Sequence, residues 1–258
     1  MCIYQASLIC VFNDKSVLDS CLLESIKTLE INIEIILVDN INNRFTSAAE
    51  ALNYGSDMAT GDYLFFCHQD IVIKDKLTFN YCCEFLSKQN CIIGVAGKKE
   101  SDKDIYGNVT DLGSHNRLVP FVNINKPELA ITVDECFFGL TKSTFQKYKF
   151  NEETCHDWHL YSAELSYRSM LDGIETYVLP INMHHNSNGK SMSREFYRTL
   201  DNMCSAYRSY YPEINTTCCK IGTGGFLSKV KMSHYRFLLF CPSYRQTYLW
   251  IRSRFLGI

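Results

Sequence analysis

The chain has 258 residues, 46% of them hydrophobic and 21% charged, with a formal net charge of −2. That length suits one large α/β domain or a domain with an appendage, and the near-neutral balance excludes a general nucleic-acid binder. Thirteen cysteines lie scattered, mostly in apolar runs and with no CxxC spacing, which argues against a zinc site or disulfide framework and predicts free buried thiols in a reducing compartment. The stretch Met1-Cys-Ile-Tyr-Gln has no basic residue ahead of its apolar run, and no apolar run is long enough to span a bilayer, so the expected location is cytoplasmic.

Ser7–Phe12 is a continuous apolar run ended by Asn13-Asp14, the pattern of a buried strand. Val17, Leu18, Cys21, Leu22, Ile26 and Leu29 then recur at helical spacing. Ile33-Glu-Ile-Ile-Leu-Val38 reads as a second strand and ends in Asp39-Asn40. Strand, helix and strand within forty residues predict a right-handed βαβ unit and a parallel sheet. Helical pattern resumes over Asn43–Thr60, with Ala48, Ala49, Leu52 and Met58 on one face and Gly61 as its stop. Gly61–Asp70 reads as a buried strand running out to His68-Gln69-Asp70, with Asp70 at the tip. Open α/β folds place their chemistry at such strand ends.

Next come a helix over Asp75–Lys88, a buried strand over Cys91–Gly97, and a long excursion over Lys98–Pro127 without clear period. Loops of that length tend to be functional. Ile131–Leu140 returns to strand character, Thr141–Tyr148 to a short helix, and Trp158–Leu171 to a longer helix closed by Asp172-Gly173. Ile174–Pro180 is a late strand, followed by Met183-His-His-Asn-Ser-Asn-Gly189, and Ser193–Tyr210 is helical again. From Lys220 onward there are seven Lys or Arg and no Asp or Glu. There Lys229, Lys231, Arg236, Arg245, Arg252 and Arg254 alternate with aromatic and apolar residues. Such a stretch suits an anionic membrane surface, or equally a solvated helical subdomain or a partner-binding helix.

Seven pieces occur in order: Val11-Phe12-Asn13-Asp14, Val38-Asp39-Asn40, Ala59-Thr-Gly-Asp-Tyr-Leu-Phe-Phe-Cys-His-Gln-Asp70, Gly94-Val-Ala-Gly97, Val133-Asp134 with Phe138-Gly139, His159-Leu-Tyr161 with Glu164-Leu165-Ser166, and His185-Asn-Ser-Asn-Gly189. Together they resemble the family-two glycosyltransferases of the GT-A fold, in the bacterial branch where His-Gln-Asp replaces Asp-x-Asp. The resemblance implies an α/β, Rossmann-like, mostly parallel sheet flanked by helices. It places the transferase domain at residues 1–190 and leaves a basic, aromatic helical extension at 191–258. It also implies transfer of a sugar from a nucleotide-sugar, UDP-linked by expectation and with inversion, to a glycan or lipid-linked acceptor of bacterial surface polysaccharide. Membrane-surface contact through the extension would suit a lipid-linked acceptor.

The chemistry expected of each position follows. A divalent ion on the diphosphate stabilises the charge that grows on the leaving β-phosphate, and hard ligands suit Mn²⁺ or Mg²⁺. Asp70 offers one such ligand, unless it only caps the next segment. His185 would complete the site, with His184 beside it as the alternative. Phe12, Asn13, Asp39 and His68 are expected at the nucleotide, and Asp134, Trp158 and His159 at the donor and acceptor sugars. Glu164 is the expected general base for the acceptor hydroxyl. The family pattern carries Asp where this chain has Ser162, so Asp157 or His159 is the alternative base. A non-catalytic nucleotide-sugar or glycan binding protein of the same fold is the competing reading. A sugar-nucleotide pyrophosphorylase would need a Gly-rich, Arg-containing loop where this chain has Asn13-Asp-Lys-Ser.

Overall fold

A computed structural model describes residues 5–27, 29, 33–100, 103–111, 121–186, 194–225, 230 and 233. The basic residues Lys229, Lys231, Arg236, Arg245, Arg252 and Arg254 lie outside that set, as does the Ser187-Asn188-Gly189 part of the late histidine motif.

Strand β1 (Ala6–Phe12) leads into a helical stretch, α1 (15–26), whose middle turn Asp19–Leu23 is π-helical, and then into β2 (Glu34–Asp39). Leu18, Cys21 and Leu22 of α1 are buried, as their spacing requires. Helix α2 (Ala48–Asp57) precedes β3 (Tyr63–Cys67), the short β4 (Ile71–Ile73), helix α3 (Thr78–Lys88), β5 (Cys91–Gly94) and β6 (Ala96–Lys98). Then come β7 (Ile105–Asp111), β8 (Phe121–Val122), β9 (Glu128–Ala130), β10 (Thr132–Val133) and β11 (Phe137–Thr141). The chain continues through α4 (Lys142–Tyr148), α5 (Tyr161–Met170), β12 (Glu175–Val178), β13 (Asn182–His185), α6 (Arg194–Tyr207) and the hairpin of β14 (Glu213–Asn215) and β15 (Lys220–Gly222).

The central sheet has the order β2-β1-β3-β11-β5-β12-β9. β1 is parallel to both β2 and β3, β12 is parallel to β5, and β11 and β9 run against their neighbours. At the centre of the sheet both faces are covered, which is why β3 is apolar at successive positions: Phe65 enters the core on one face and Phe66 the core on the other. Phe66 packs with Phe138, Phe145 and Phe150 at ring separations of 4.9–5.2 Å. The five parallel strands end at the same edge as Phe12, Asp39 and Cys67. A second sheet, β10-β6-β7-β13-β4, lies beyond that edge.

Several elements depart from expectation. α2 covers only Ala48–Asp57, because Asn40 grips both backbone groups of Phe45 in a loop and Ser47 supplies the N-cap. The helix ends at Asp57, capped by Met58, ahead of Gly61, whose N–H donates to Ser7 Oγ. The apolar run Cys91–Gly97 splits at Val95 into strands of different sheets. Its glycines serve close approach: a Cβ on Gly94 would fall 2.5 Å from Val133, and one on Gly97 would fall 2.4 Å from the Thr132 carbonyl. The excursion over Lys98–Pro127 is partly sheet, since β7 and β8 lie within it. Ile131–Leu140 breaks into β10, a turn and β11, and α5 begins only at Tyr161, leaving Trp158 and His159 in the loop before it.

Among the described residues, the region after residue 190 holds a helix and a β-hairpin rather than helix alone. Leu160, Ala163 and Tyr167 share one core with Phe196, Leu200, Met203 and Ile214, so this region packs directly on α5. The described cysteines are free thiols, and all but Cys218 and Cys219 are buried. No helix among the described residues is long and apolar enough to cross a membrane.

Candidate functional site

β3 delivers His68 and Asp70 to the edge where the parallel strands end, and β13 delivers His185 from the second sheet. His185 pairs with Ile71 across β13 and β4, and Asn186 N–H donates to the Asp70 carbonyl at 2.9 Å. Backbone pairing thus brings together two residues more than a hundred positions apart. One ligand atom from each of His68, Asp70 and His185 lies within 4.8 Å of the others. His185 Nε2 is 3.4 Å from Asp70 Oδ1, and His68 Nδ1 is 3.4 Å from that same Nε2 and 4.0 Å from Oδ1. On the far side of the His68 ring, Tyr161 Oη is 3.4 Å from Nε2. Strand alternation turns His184 to the other face of β13, away from the cluster.

The charges suit a cation. Burial, then the neighbouring His185, pushes the His68 imidazole down to about 4 against the pull of Asp70 and Asp134, so at neutral pH the ring is uncharged and has a lone pair. Burial alone would raise Asp70, but its hydrogen bond to His185 and the fields of both imidazoles outweigh it and hold the carboxyl below its ordinary value. Two imidazoles and a carboxylate fit Mn²⁺ better than Mg²⁺, which prefers oxygen throughout. The structure thus groups His68 with the two expected ligands, and at a strand end its side chain projects into the cluster.

The nucleotide-side residues gather at the neighbouring strand ends. Phe12 and Asp39 are register partners at the ends of β1 and β2. Asp39 is exposed and accepts the Ile41 N–H at 2.8 Å, and Asn13 is exposed beside it. Gln69, the middle residue of the motif, points away from the cluster. Its Oε1 accepts the N–H groups of Asn13 and Asp14 at 3.0 Å each, and its Nε2 donates to Asn13 Oδ1 at 2.8 Å. This clamp ties the end of β3 to the loop after β1, a role that the motif alone did not reveal.

Asp134 follows β10 and stands close enough for its charge to act on both His68 and His185. Its Oδ1 accepts the Cys136 N–H at 3.0 Å and its Oδ2 accepts the Thr217 hydroxyl at 2.6 Å. Burial would raise this carboxyl; Thr217, His185 and the Cys136 N–H together hold it low. His159 is half-buried, with its ring 6.0 Å from Phe196, and burial lowers its imidazole against the fields of Asp157 and Asp134. Trp158 is half-buried against the core of the β1–β3 side.

Glu164 does not reach this site. It is fully buried and forms a two-pronged ion pair with Arg168 at 2.9 and 3.0 Å, while Tyr207 donates to it at 2.7 Å. Arg168 is fixed in turn on the carbonyls of Tyr148 and Lys149. A carboxylate saturated in this way, on the inner face of α5, has no access to an acceptor hydroxyl. Ser162 is also buried, donating to the Val133 carbonyl at 2.7 Å. Near it lies a group that the sequence did not single out. Glu135 accepts the N–H of Leu160 at 2.7 Å, holding that leucine at φ +69° in the left-handed region. The bond fixes the turn that carries His159 and Tyr161. Burial, then Asp134, raises the Glu135 carboxyl to about 8.

Comparison with solved structures settles the architecture. S. aureus TarS residues 1–349 matches with a TM-score of 0.53 at 13% identity, over 78% of this chain and 64% of that one, and has also been solved with UDP-GlcNAc and with UDP. The mannosyltransferase PcManGT of Pyrobaculum calidifontis, in complex with GDP-Man and Mn²⁺, matches with a TM-score of 0.56 at 10% identity, over 82% of this chain and 66% of that one. The fold is GT-A. GalNAc-T7 with UDP, GalNAc and Mn²⁺ matches with a TM-score of 0.56 at 12% identity, over 80% of this chain and 48% of that one. The chain thus spans less than two thirds of the length of several of these proteins, and at such identities the likeness is one of fold. No protein-family model matches the sequence, and no curated protein does.

Proposed function

We propose that this chain is a metal-dependent glycosyltransferase of family two that moves a sugar from a nucleotide-sugar to a glycan or lipid-linked acceptor. The observation that carries the reading is the His68–Asp70–His185 cluster at the strand-end edge of a GT-A sheet, beside Phe12, Asn13 and Asp39. His68, Asp70 and His185 would hold Mn²⁺, which when bound supplies Lewis-acid stabilisation of the leaving diphosphate. Asp39, at the end of β2, would accept from the base or ribose, and Asp134 would face the sugars. The order of motifs fits an inverting enzyme of bacterial surface polysaccharide synthesis with a UDP-linked donor. The solved GT-A neighbours that hold UDP, UDP-GlcNAc or GDP-Man support a nucleotide-sugar as the donor class.

The test is thermal unfolding with UDP and GDP, each with and without Mn²⁺, followed by nucleotide release from UDP-hexoses and GDP-mannose. A rise in melting temperature that requires nucleotide and metal together supports the site. No response to any pair overturns it. A second reading, a nucleotide-sugar binding protein without turnover, is favoured by Ser162 and by the sequestration of Glu164. Metal-dependent binding with no turnover of any donor would select it.

A further inference from the structure

The donor reading leaves the acceptor's proton without a base. An attacking hydroxyl must lose its proton as it bonds to the anomeric carbon, and a positioned carboxylate or imidazole usually takes it. Among the carboxylates around the cluster, Glu164 is locked to Arg168 and Asp70 belongs to the cation site. Glu135 is engaged with the Leu160 N–H and retains its own proton at neutral pH. Asp134 differs from all three. It is partly exposed, it is ionised, and it is held from two sides, by the Cys136 N–H on Oδ1 and the Thr217 hydroxyl on Oδ2. Each oxygen retains an unshared pair beyond its one bond.

Thr217 comes from a rigid support. It sits at the tip of the β14–β15 hairpin, where Thr216 Oγ1 accepts the N–H groups of Cys218 and Cys219. The last strand pair before that tip is tied down through Asn215. Its carbonyl accepts from Thr132 Oγ1, its Nδ2 donates to the Lys99 carbonyl, and its N–H donates to Tyr167 Oη. The hairpin therefore reaches across β10 to set the rotamer of one carboxylate beside the cation cluster, a contact between positions 83 residues apart.

Resting on the glycosyltransferase reading above, we propose that Asp134 is the general base of this chain and that Thr217 is its positioning residue, in place of the carboxylate that the chain lacks at Ser162. In the step so assigned, the acceptor oxygen forms its bond to the anomeric carbon as the bond from that carbon to the β-phosphate oxygen breaks. The bonding pair leaves with the nucleoside diphosphate, and the acceptor proton passes to Asp134 and then to solvent.

The experiment measures nucleotide release from UDP-hexoses and GDP-mannose with water as acceptor, and again with azide, a nucleophile that has no proton to lose. Asp134→Asn should lower the water reaction by roughly 10²- to 10⁴-fold. It should keep Mn²⁺-dependent UDP binding and melting temperature, and it should regain turnover with azide. Thr217→Val should lower kcat with little change in KM, whereas Thr217→Ser should retain activity. Wild-type rates in Asp134→Asn, or azide rescue in His159→Gln instead, would overturn the assignment of the base alone. Wild-type protein that neither binds a nucleoside diphosphate with Mn²⁺ nor releases one from any donor would overturn the donor reading, and this inference with it.

Discussion

Two carboxylate sites sit on opposite sides of α5 and are built in opposite ways. At the strand-end edge, Asp70 and Asp134 each have a few directed bonds and unspent capacity, near the His68 imidazole, which burial keeps neutral. On the inner side, Glu164 has Arg168 on both oxygens and the Tyr207 hydroxyl besides, and no surface at all. Both resemble catalytic carboxylates when seen as letters in a motif. The difference lies in leftover valence and access: one set is poised for a ligand, and the other closes α5 against α6 and the loop after α4.

The strand-end site depends most on Asp70. Asp70→Ala should abolish Mn²⁺-dependent nucleotide binding and donor turnover, while unfolding free energy, read by urea titration, stays within about 0.5 kcal/mol. A fully active Asp70→Ala protein would remove the cation site from the strand edge. The inner site should show the reverse pattern. Glu164→Ala leaves a guanidinium with its carboxylate gone. The expected loss is about 3 kcal/mol of stability, at the low end for a buried pair because Arg168 keeps its two carbonyl partners. Metal-dependent nucleotide binding of the folded variant should be unchanged. A stable Glu164→Ala protein that has lost turnover would return Glu164 to the catalytic role.

Glu135 stands between the two sites and sharpens the contrast through pH. Its carboxyl titrates near 8 in the fold against an ordinary value of 4.5, because burial and then Asp134 disfavour its charge. The folded protein therefore binds a proton that the unfolded chain has released. This contribution is fully present below pH 4.5 and is lost as pH rises through about 8. Wild-type stability should fall by about 2 kcal/mol between pH 6 and 8 from this group. Glu135→Gln should flatten that slope in urea titrations at the two pH values. An unchanged slope would place the proton elsewhere.

Much of this was readable in the letters. The buried parallel strands β1 and β3 declare themselves because successive residues, such as Leu8 and Ile9 or Phe65 and Phe66, enter the cores on opposite faces, so both are continuous apolar runs, whereas the edge strand β2 leaves Ile35 and Leu37 exposed. β7 was not readable, since Tyr106, Asn108 and Thr110 alternate with Ile105 and Val109 in a polar-looking stretch that becomes a strand only beside β6 and β13. The break at Val95 is likewise hidden inside an apolar run, because it depends on how closely β10 approaches Gly94 and Gly97. At the site, Asp70 and His185 stand out by motif, whereas the place of His68 depends on the turn after β3. Glu164 misled for a physical reason. Its i+4 partner Arg168 is visible in the sequence, but that pair is sealed by Tyr207, 43 residues away on another helix.

The smallest expected effect tests whether the strand-end edge works as one unit. Gln69 spans from the cation cluster's own motif to the loop of Asn13 and Asp14, with three hydrogen bonds at 2.8–3.0 Å. These bonds are exposed, so their net worth is modest: Gln69→Ala should cost about 1 kcal/mol of stability. Their geometric effect should be more selective. Without the clamp the loop after β1 is free to leave its place beside Asp39, while His68, Asp70 and His185 retain the β13–β4 pairing that assembles them. Titration calorimetry should therefore show weaker nucleotide binding, roughly fivefold for a loss of that size, with Mn²⁺ binding itself unaffected. If metal and nucleotide weaken together, the cluster depends on the loop and the edge is a single cooperative site. If neither changes, Asn13 has no part in holding the nucleotide, and that side of the site must be rebuilt around Asp39 alone.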